Sequence, residues 1–122
     1  MTETVFGPIT AQWIAAYSAA SGDDNPLHVA SGADQSAIVH GALIAALAER
    51  YVLQTLPGAR IRTMRFKFLS PVKAGESLAF RLGLGRTLNV DDRPLIERRI
   101  TVRVPGQRPC VISDCVYAEP PS

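Results

Sequence analysis

From Gly41 to Leu56, the apolar side chains Leu43, Ile44, Leu47, Tyr51 and Leu56 recur at helical spacing, and Pro57-Gly58 ends the pattern. A helix of that span is a rod of roughly 24 Å. Ala42, Ala45, Ala46 and Ala48 keep it slim, so it can lie close against a flat surface. The spacing predicts a buried core helix. Directly after it the period changes to two: Met64, Phe66 and Phe68 face one way, Thr63, Arg65 and Lys67 the other.

Alternation continues at Leu78, Phe80, Leu82 and Leu84, then from Ile96 through Arg98, Ile100, Val102 and Val104, then from Cys110 to Tyr117. Turn residues separate these runs: Pro71 with Gly75, Asn89 to Pro94, and Pro105-Gly106 to Pro109. Ahead of the long helix, Thr10 is a plausible N-cap for a shorter one carrying Trp13, Ile14 and Tyr17, and Gly22 stops it. The short helix delivers the chain into Asp23-Asp24-Asn25-Pro26, residues that favour a tight turn. Helices followed by consecutive antiparallel strands predict an α+β domain with the helices against one sheet. A long central helix wrapped by a curved antiparallel sheet is the hot-dog arrangement. No internal repeat or low-complexity stretch interrupts it, and Glu119 to Ser122 reads as a frayed tail. The expectation is a single domain over residues 1–122 with its core at about 9–118.

With 47% hydrophobic and 20% charged residues in 122, the chain has the composition of a folded globular protein and not of a disordered one. Thirteen Lys+Arg against 11 Asp+Glu is too balanced for a dedicated nucleic-acid binder. Arginines do gather at Arg60, Arg62, Arg65 and Lys67, and at Arg93, Arg98, Arg99 and Arg103, where a solvated strand face is the ordinary explanation. Cys110 and Cys115 would sit about 17 Å apart on opposite faces of one extended segment, so they read as small buried hydrophobes and not as a disulfide. No apolar run approaches the ~20 residues of a membrane span and no apolar signal sequence follows Met1, so a reduced cytoplasmic setting without membrane attachment is expected.

Three segments stand in a recognisable order. Ser21-Gly22-Asp23-Asp24-Asn25-Pro26-Leu27-His28 resembles the hydratase signature of MaoC-like proteins, the (R)-specific enoyl-CoA hydratase family, in which a short helix precedes D-x-N-P-x-H. Ile38-Val39-His40-Gly41-Ala42-Leu43 resembles the family's opening of the central helix, and Phe68 to Glu76 its F-x-x-P-V-x-x-G-D strand and turn. Any one segment is a weak signal; three in register, within a resemblance spanning residues 9–118, are specific.

The chemistry can be argued from the residues. Adding water across an α,β-unsaturated thioester needs a base for the water, an acid for the α-carbon and donors for the enolate-like oxygen. Asp23 and His28 are a suitable carboxylate and imidazole for holding one water between them, because an imidazole exchanges protons near neutrality and a carboxylate can fix its tautomer. By resemblance, the Gly41 backbone N–H, at the positive end of the long helix, is the oxyanion donor, and its missing side chain admits the substrate. Asn25 would steady the pair or the water. His40 is left as a structural residue at the helix start. Asp23, Asp24, His28 and His40 show no metal-ligand spacing, so no metal is expected, and no cofactor beyond the coenzyme A or phosphopantetheine of the substrate.

The chain departs from the family pattern in two places. Only Val29 to Val39 separate His28 from His40, a shorter connection than in many members, which leaves the pocket more open or closed by a partner. The Ser that many members carry in the central helix near the catalytic Asp is missing: the stretch reads Ala45-Ala46-Leu47-Ala48-Glu49, with no Ser or Thr before Thr55. Asp23 then needs another partner. Arg62, Arg65 and Lys67 are candidates for the carrier's phosphates, with Arg62 expected on the opposite strand face from the other two. The resemblance implies a homodimer formed by sheet edges, or pairing with a different hot-dog subunit, and an exposed strand edge gives the same expectation. The activity implied is the interconversion of trans-2-enoyl and (R)-3-hydroxyacyl thioesters. The alternatives are a non-catalytic or partner-dependent acyl-thioester-binding subunit and, less well matched to the signature, a thioesterase.

Overall fold

The computed structural model describes residues 3–23 and 37–120. In chain order these form strand β1 (Thr4–Phe6), helix α1 (Ala11–Ser21), helix α2 (Gly41–Thr55) and strands β2 (Arg60–Phe68), β3 (Leu78–Val90), β4 (Arg93–Arg103) and β5 (Pro109–Ala118). The strands make one antiparallel sheet in the order β1-β3-β4-β5-β2, which is the hot-dog arrangement. No helix among the described residues is long and apolar enough to cross a membrane.

Helix α2 buries Leu43, Ile44, Leu47, Ala48, Tyr51 and Val52. They share one apolar core with the sheet's inner face, including Phe80, Leu82, Ile100, Val102, Val111 and Cys115. The Tyr51 and Phe80 rings stack there at 5.5 Å. Burying a Leu, Ile, Val or Phe contributes about 1.5–3 kcal/mol by transfer from water, so this contact dominates the fold's stability. The helix is buried along one face and not all round: Ala42, Ala46, Glu49, Arg50 and Leu53 are exposed. A sheet covers only one side of a rod.

Helix α1 begins and ends where the sequence indicates. The Thr10 hydroxyl accepts a hydrogen bond from Trp13 N at 3.1 Å, and Gly22, in the left-handed region at φ 76°, donates its N–H to Ser18 O at 3.0 Å. Ile14 is its fully buried anchor.

Three details differ from the sequence reading. Strand β1 was not anticipated; three residues are too short to show a period, and they become a strand by pairing Thr4, Val5 and Phe6 with Phe80, Ala79 and Leu78. Leu84 does not continue the inward series. An extra residue enters β3 between Leu82, opposite Ile100, and Gly85, opposite Arg98, and leaves Leu84 90% exposed. A similar irregularity between Ile61 and Thr63 brings Arg62 to the same outer cavity as Arg65, where strict alternation would separate them. Beyond the β3 irregularity the two strands run on to a tight turn at Asp91-Asp92, both in the left-handed region at φ 50° and 61°.

Candidate active site

The described parts of the three segments, which reach only Asp23 in the first, converge at the start of α2. The strand-like piece before the helix is tied to the Pro71–Gly75 turn: Val39 N donates to Val72 O at 2.8 Å, Ala74 N donates to Ala37 O at 2.8 Å, and Ile38 bridges Lys73. The same turn reaches the entry to α1, with Gly75 N donating to Ile9 O at 2.7 Å and Ile9 N to Glu76 O at 3.0 Å. Gly75 sits at φ 90°, a conformation that L side chains rarely adopt, which accounts for glycine in that turn. Backbone pairing therefore fixes the entry to α1 relative to the start of α2, and the length of α1 carries its last turn to the His40 side chain.

His40 is the N-cap of α2, yet its side chain makes no capping hydrogen bond. The imidazole turns towards α1 and is buried at 1% exposure. Its Nε2 lies 2.9 Å from Ser18 Oγ, and the Tyr17 ring meets it edge-on at 4.7 Å between centroids. The same Nε2 is 4.0 Å from Asp23 Oδ2, an electrostatic distance longer than a hydrogen bond. Asp23 directly follows the left-handed Gly22 that ends α1. Its side chain is 47% exposed, so the carboxylate faces both the buried imidazole and solvent. One ionisable oxygen that touches the fold on one side and water on the other suits proton transfer.

Gly41 follows as the first residue of α2, in a first turn with no acidic side chain to offset the helix's positive end. A Cβ there would stand 3.2 Å from Cε1 and Cζ of Phe68, so the space of the missing side chain is taken by that ring. Phe68 closes β2 and is 52% exposed, so the ring has solvent to move into.

Of the sequence candidates, Asp23 and Gly41 are placed at this junction. His28 and Asn25 lie outside the described residues. Arg62 and Arg65 line a cavity of about 470 Å³ with Leu88, Leu95, Asp114 and Val116. It opens on the outer face of the sheet, since the intervening Met64 and Phe66 pack on the core. Lys67 alternates onto the same face, opposite Ile112. Basic side chains and junction are thus on opposite sides. Among the described residues no cluster of His, Cys, Asp and Glu could hold a metal ion.

The sequence reading took Tyr17 only as an apolar position of the short helix, did not single out Ser18 and kept His40 as structural. The available signal was positional: Ser18 lies in the last turn of a helix that ends just before Asp23, and His40 starts the next.

The family model described as MaoC like domain matches residues 3–104. No curated protein sequence matches. Among solved structures, the chain resembles the (R)-hydratase from A. caviae involved in PHA biosynthesis at 26% identity and a TM-score of 0.77, covering 98% of this chain and 95% of that one. It resembles R-hydratase PhaJ1 from Pseudomonas aeruginosa at 24% identity and a TM-score of 0.78, covering 99% and 80%. The HadBC complex from Mycobacterium tuberculosis, a 3R-hydroxyacyl-ACP dehydratase, matches at 15% identity and a TM-score of 0.72, covering 93% and 89%. With the hot-dog topology, the helix-start junction and a family match over most of its length, the chain belongs to the MaoC like domain family.

Proposed function

We propose that the protein is a hydratase/dehydratase that interconverts trans-2-enoyl and (R)-3-hydroxyacyl thioesters. The observation that carries this reading is the Asp23 carboxylate beside the buried His40 at the N-terminus of α2, within a MaoC-like hot-dog domain. In the hydration direction, Asp23 and His28 hold a water, and one of them takes its proton as its oxygen attacks the β-carbon. The negative charge that develops on the thioester oxygen is met by the Gly41 N–H at the positive end of α2, and the other member of the pair, acting as the acid, gives its proton to the α-carbon. Asn25 orients the pair or the water. No cofactor enters beyond the carrier attached to the substrate, coenzyme A or acyl-carrier protein.

Contact between the carrier's phosphates and Arg62, Arg65 or Lys67 requires the pantetheine arm to reach the outer face of the sheet. An Arg65→Glu variant whose KM for a CoA thioester rises while kcat holds supports that contact; an unchanged KM assigns the phosphates elsewhere. The assembly proposed is a homodimer through β2, the nine-residue strand that pairs only with β5 and leaves its other edge open among the described residues. Pairing with a different hot-dog subunit is the alternative, and size-exclusion chromatography with light scattering on the purified chain separates the two.

The activity test is loss of enoyl absorbance when purified protein meets crotonyl-CoA, longer trans-2-enoyl-CoAs and the corresponding acyl-carrier-protein thioesters, with chiral analysis of the product. Turnover that yields the (R) product and falls steeply, to a small measurable residue, in Asp23→Asn and His28→Ala supports the reading. No loss with any chain length or carrier refutes turnover by this chain alone. Binding without turnover, with co-purification of a second hot-dog protein, would identify a partner-dependent subunit. Release of free thiol would point to a thioesterase.

A further inference from the structure

The central helix offers Asp23 no Ser or Thr from Gly41 to Gln54, and its Tyr51 is stacked in the core on Phe80. A hydroxyl reaches the junction from the other helix. Ser18 Oγ, in the last turn of α1, lies 2.9 Å from His40 Nε2, and that same nitrogen faces Asp23 Oδ2 at 4.0 Å. From these distances we infer that Ser18 and His40 form a positioning pair that sets the Asp23 carboxylate, an inference that rests on Asp23 carrying the chemistry proposed above.

The neighbouring charge decides the tautomer. With Nε2 unprotonated, Ser18 would donate to it and the ring's lone pair would face a carboxylate, two negative regions 4.0 Å apart where a buried ring meets a carboxylate half open to solvent. With the proton on Nε2, the N–H donates to Ser18 Oγ and its positive end also faces Asp23. The second arrangement satisfies both neighbours. Burial of the ring and the edge-on Tyr17 leave the imidazole little freedom to rotate, so the N–H points in a fixed direction.

The geometry also explains why His40 forgoes the capping role of its position. N-cap residues normally turn their side chain onto the helix's own first N–H groups. Here the side chain goes to Ser18, so those N–H groups are not consumed by the cap, and α1 is joined to α2 beside Asp23. The left-handed Gly22 and the Gly22 N to Ser18 O hydrogen bond then aim Asp23 back over the pair.

The experiment uses the full chain in two arms. In the kinetic arm, Ser18→Ala, His40→Gln and His40→Ala are measured with crotonyl-CoA, kcat and KM separately, alone and on an Asp23→Asn background. The expected result is a fall in kcat of about tenfold or more for Ser18→Ala with KM within about twofold, as loss of orientation and not of binding produces. His40→Gln, which keeps an N–H donor near the Nε2 position, should recover part of what His40→Ala loses. On the Asp23→Asn background Ser18→Ala should add nothing further. An unchanged kcat in Ser18→Ala, or full additivity with Asp23→Asn, overturns the inference. In the second arm, side-chain ¹⁵N NMR of the unliganded protein reads the His40 tautomer without requiring turnover. Nε2–H in the wild type, with a shifted signal in Ser18→Ala and in Asp23→Asn, supports the pair; Nδ1–H in the wild type overturns it. If the wild type turns over no substrate, the hydratase reading fails, and the NMR arm still decides the pairing.

Discussion

His40 Nε2 and Ser18 Oγ, 22 residues apart in sequence, meet at 2.9 Å and join the last turn of α1 to the first of α2. The ring is almost fully buried, so the contact has a structural consequence separate from any role beside Asp23. Truncation by His40→Ala leaves a cavity and removes a buried hydrogen-bond partner, and each effect costs about 1–3 kcal/mol. We expect a lower urea midpoint with an unchanged m value. An unchanged midpoint would mean that the helix ends hold together without this contact.

At Gly41, the ring of Phe68 is the obstacle to a side chain, at 3.2 Å from the position a Cβ would take. Because that ring is half-exposed, it can give way, and Ala is the better helix former by about 0.5–1 kcal/mol. Gly41→Ala should therefore change stability by less than about 1 kcal/mol while lowering kcat/KM, because the methyl group narrows the approach to the backbone N–H. Thermal unfolding together with crotonyl-CoA kinetics checks both parts. Full activity in a normally stable variant would remove the Gly41 N–H from the mechanism.

Leu82 and Leu84 should respond in opposite ways although they are two residues apart on one strand. Leu82 is 2% exposed, and Leu82→Ala should cost roughly 2–5 kcal/mol. Leu84 is 90% exposed, and Leu84→Ala should stay within about 0.5 kcal/mol of the wild type. Chemical denaturation of both variants reads the register irregularity directly; equal losses would mean that β3 runs inward without a break.

Alkaline conditions should weaken the fold through its buried thiols. Burial pushes the Cys115 thiol up to about 11, and raises Cys110 and the Tyr51 hydroxyl in the same direction. Between the ordinary thiol value of about 8.5 and about 11, the unfolded chain has lost a proton from Cys115 that the folded chain keeps. Stability from this source is complete below about 8.5 and falls as pH rises through that window. Urea midpoints across it should decline, and Cys115→Ser should flatten the decline. Both thiols should react with a thiol reagent only as the protein unfolds, since both are buried.

Much of this molecule is determined by local sequence. Thr10 and Gly22 bound α1 because a hydroxyl can cap and a glycine can take a positive φ, and both properties belong to the residues themselves. The apolar stripe from Leu43 to Val52 and the period-two runs of the strands set which face of each element turns inward, because burial follows side-chain period. Asp23 and Gly41 were legible as site candidates because their segments recur in a known order. His28 and Asn25 stand on the same sequence argument alone.

The tertiary structure decided what depends on partners distant in sequence. Thr4 to Phe6 became a strand only because β3 offers an edge, and Leu84 left the core because β4 and β3 differ by one residue in register. Arg62 joined Arg65 through a second irregularity, against β5. Ser18 and His40 carry no local pattern that marks them as neighbours. They meet because the Ala37–Val39 segment pairs with the Pro71–Gly75 turn and that turn with Ile9 at the entry to α1, and α1 then carries Ser18 across to His40. Pairwise proximity of this kind is set by backbone hydrogen bonds between remote segments, and no periodicity within either segment encodes it.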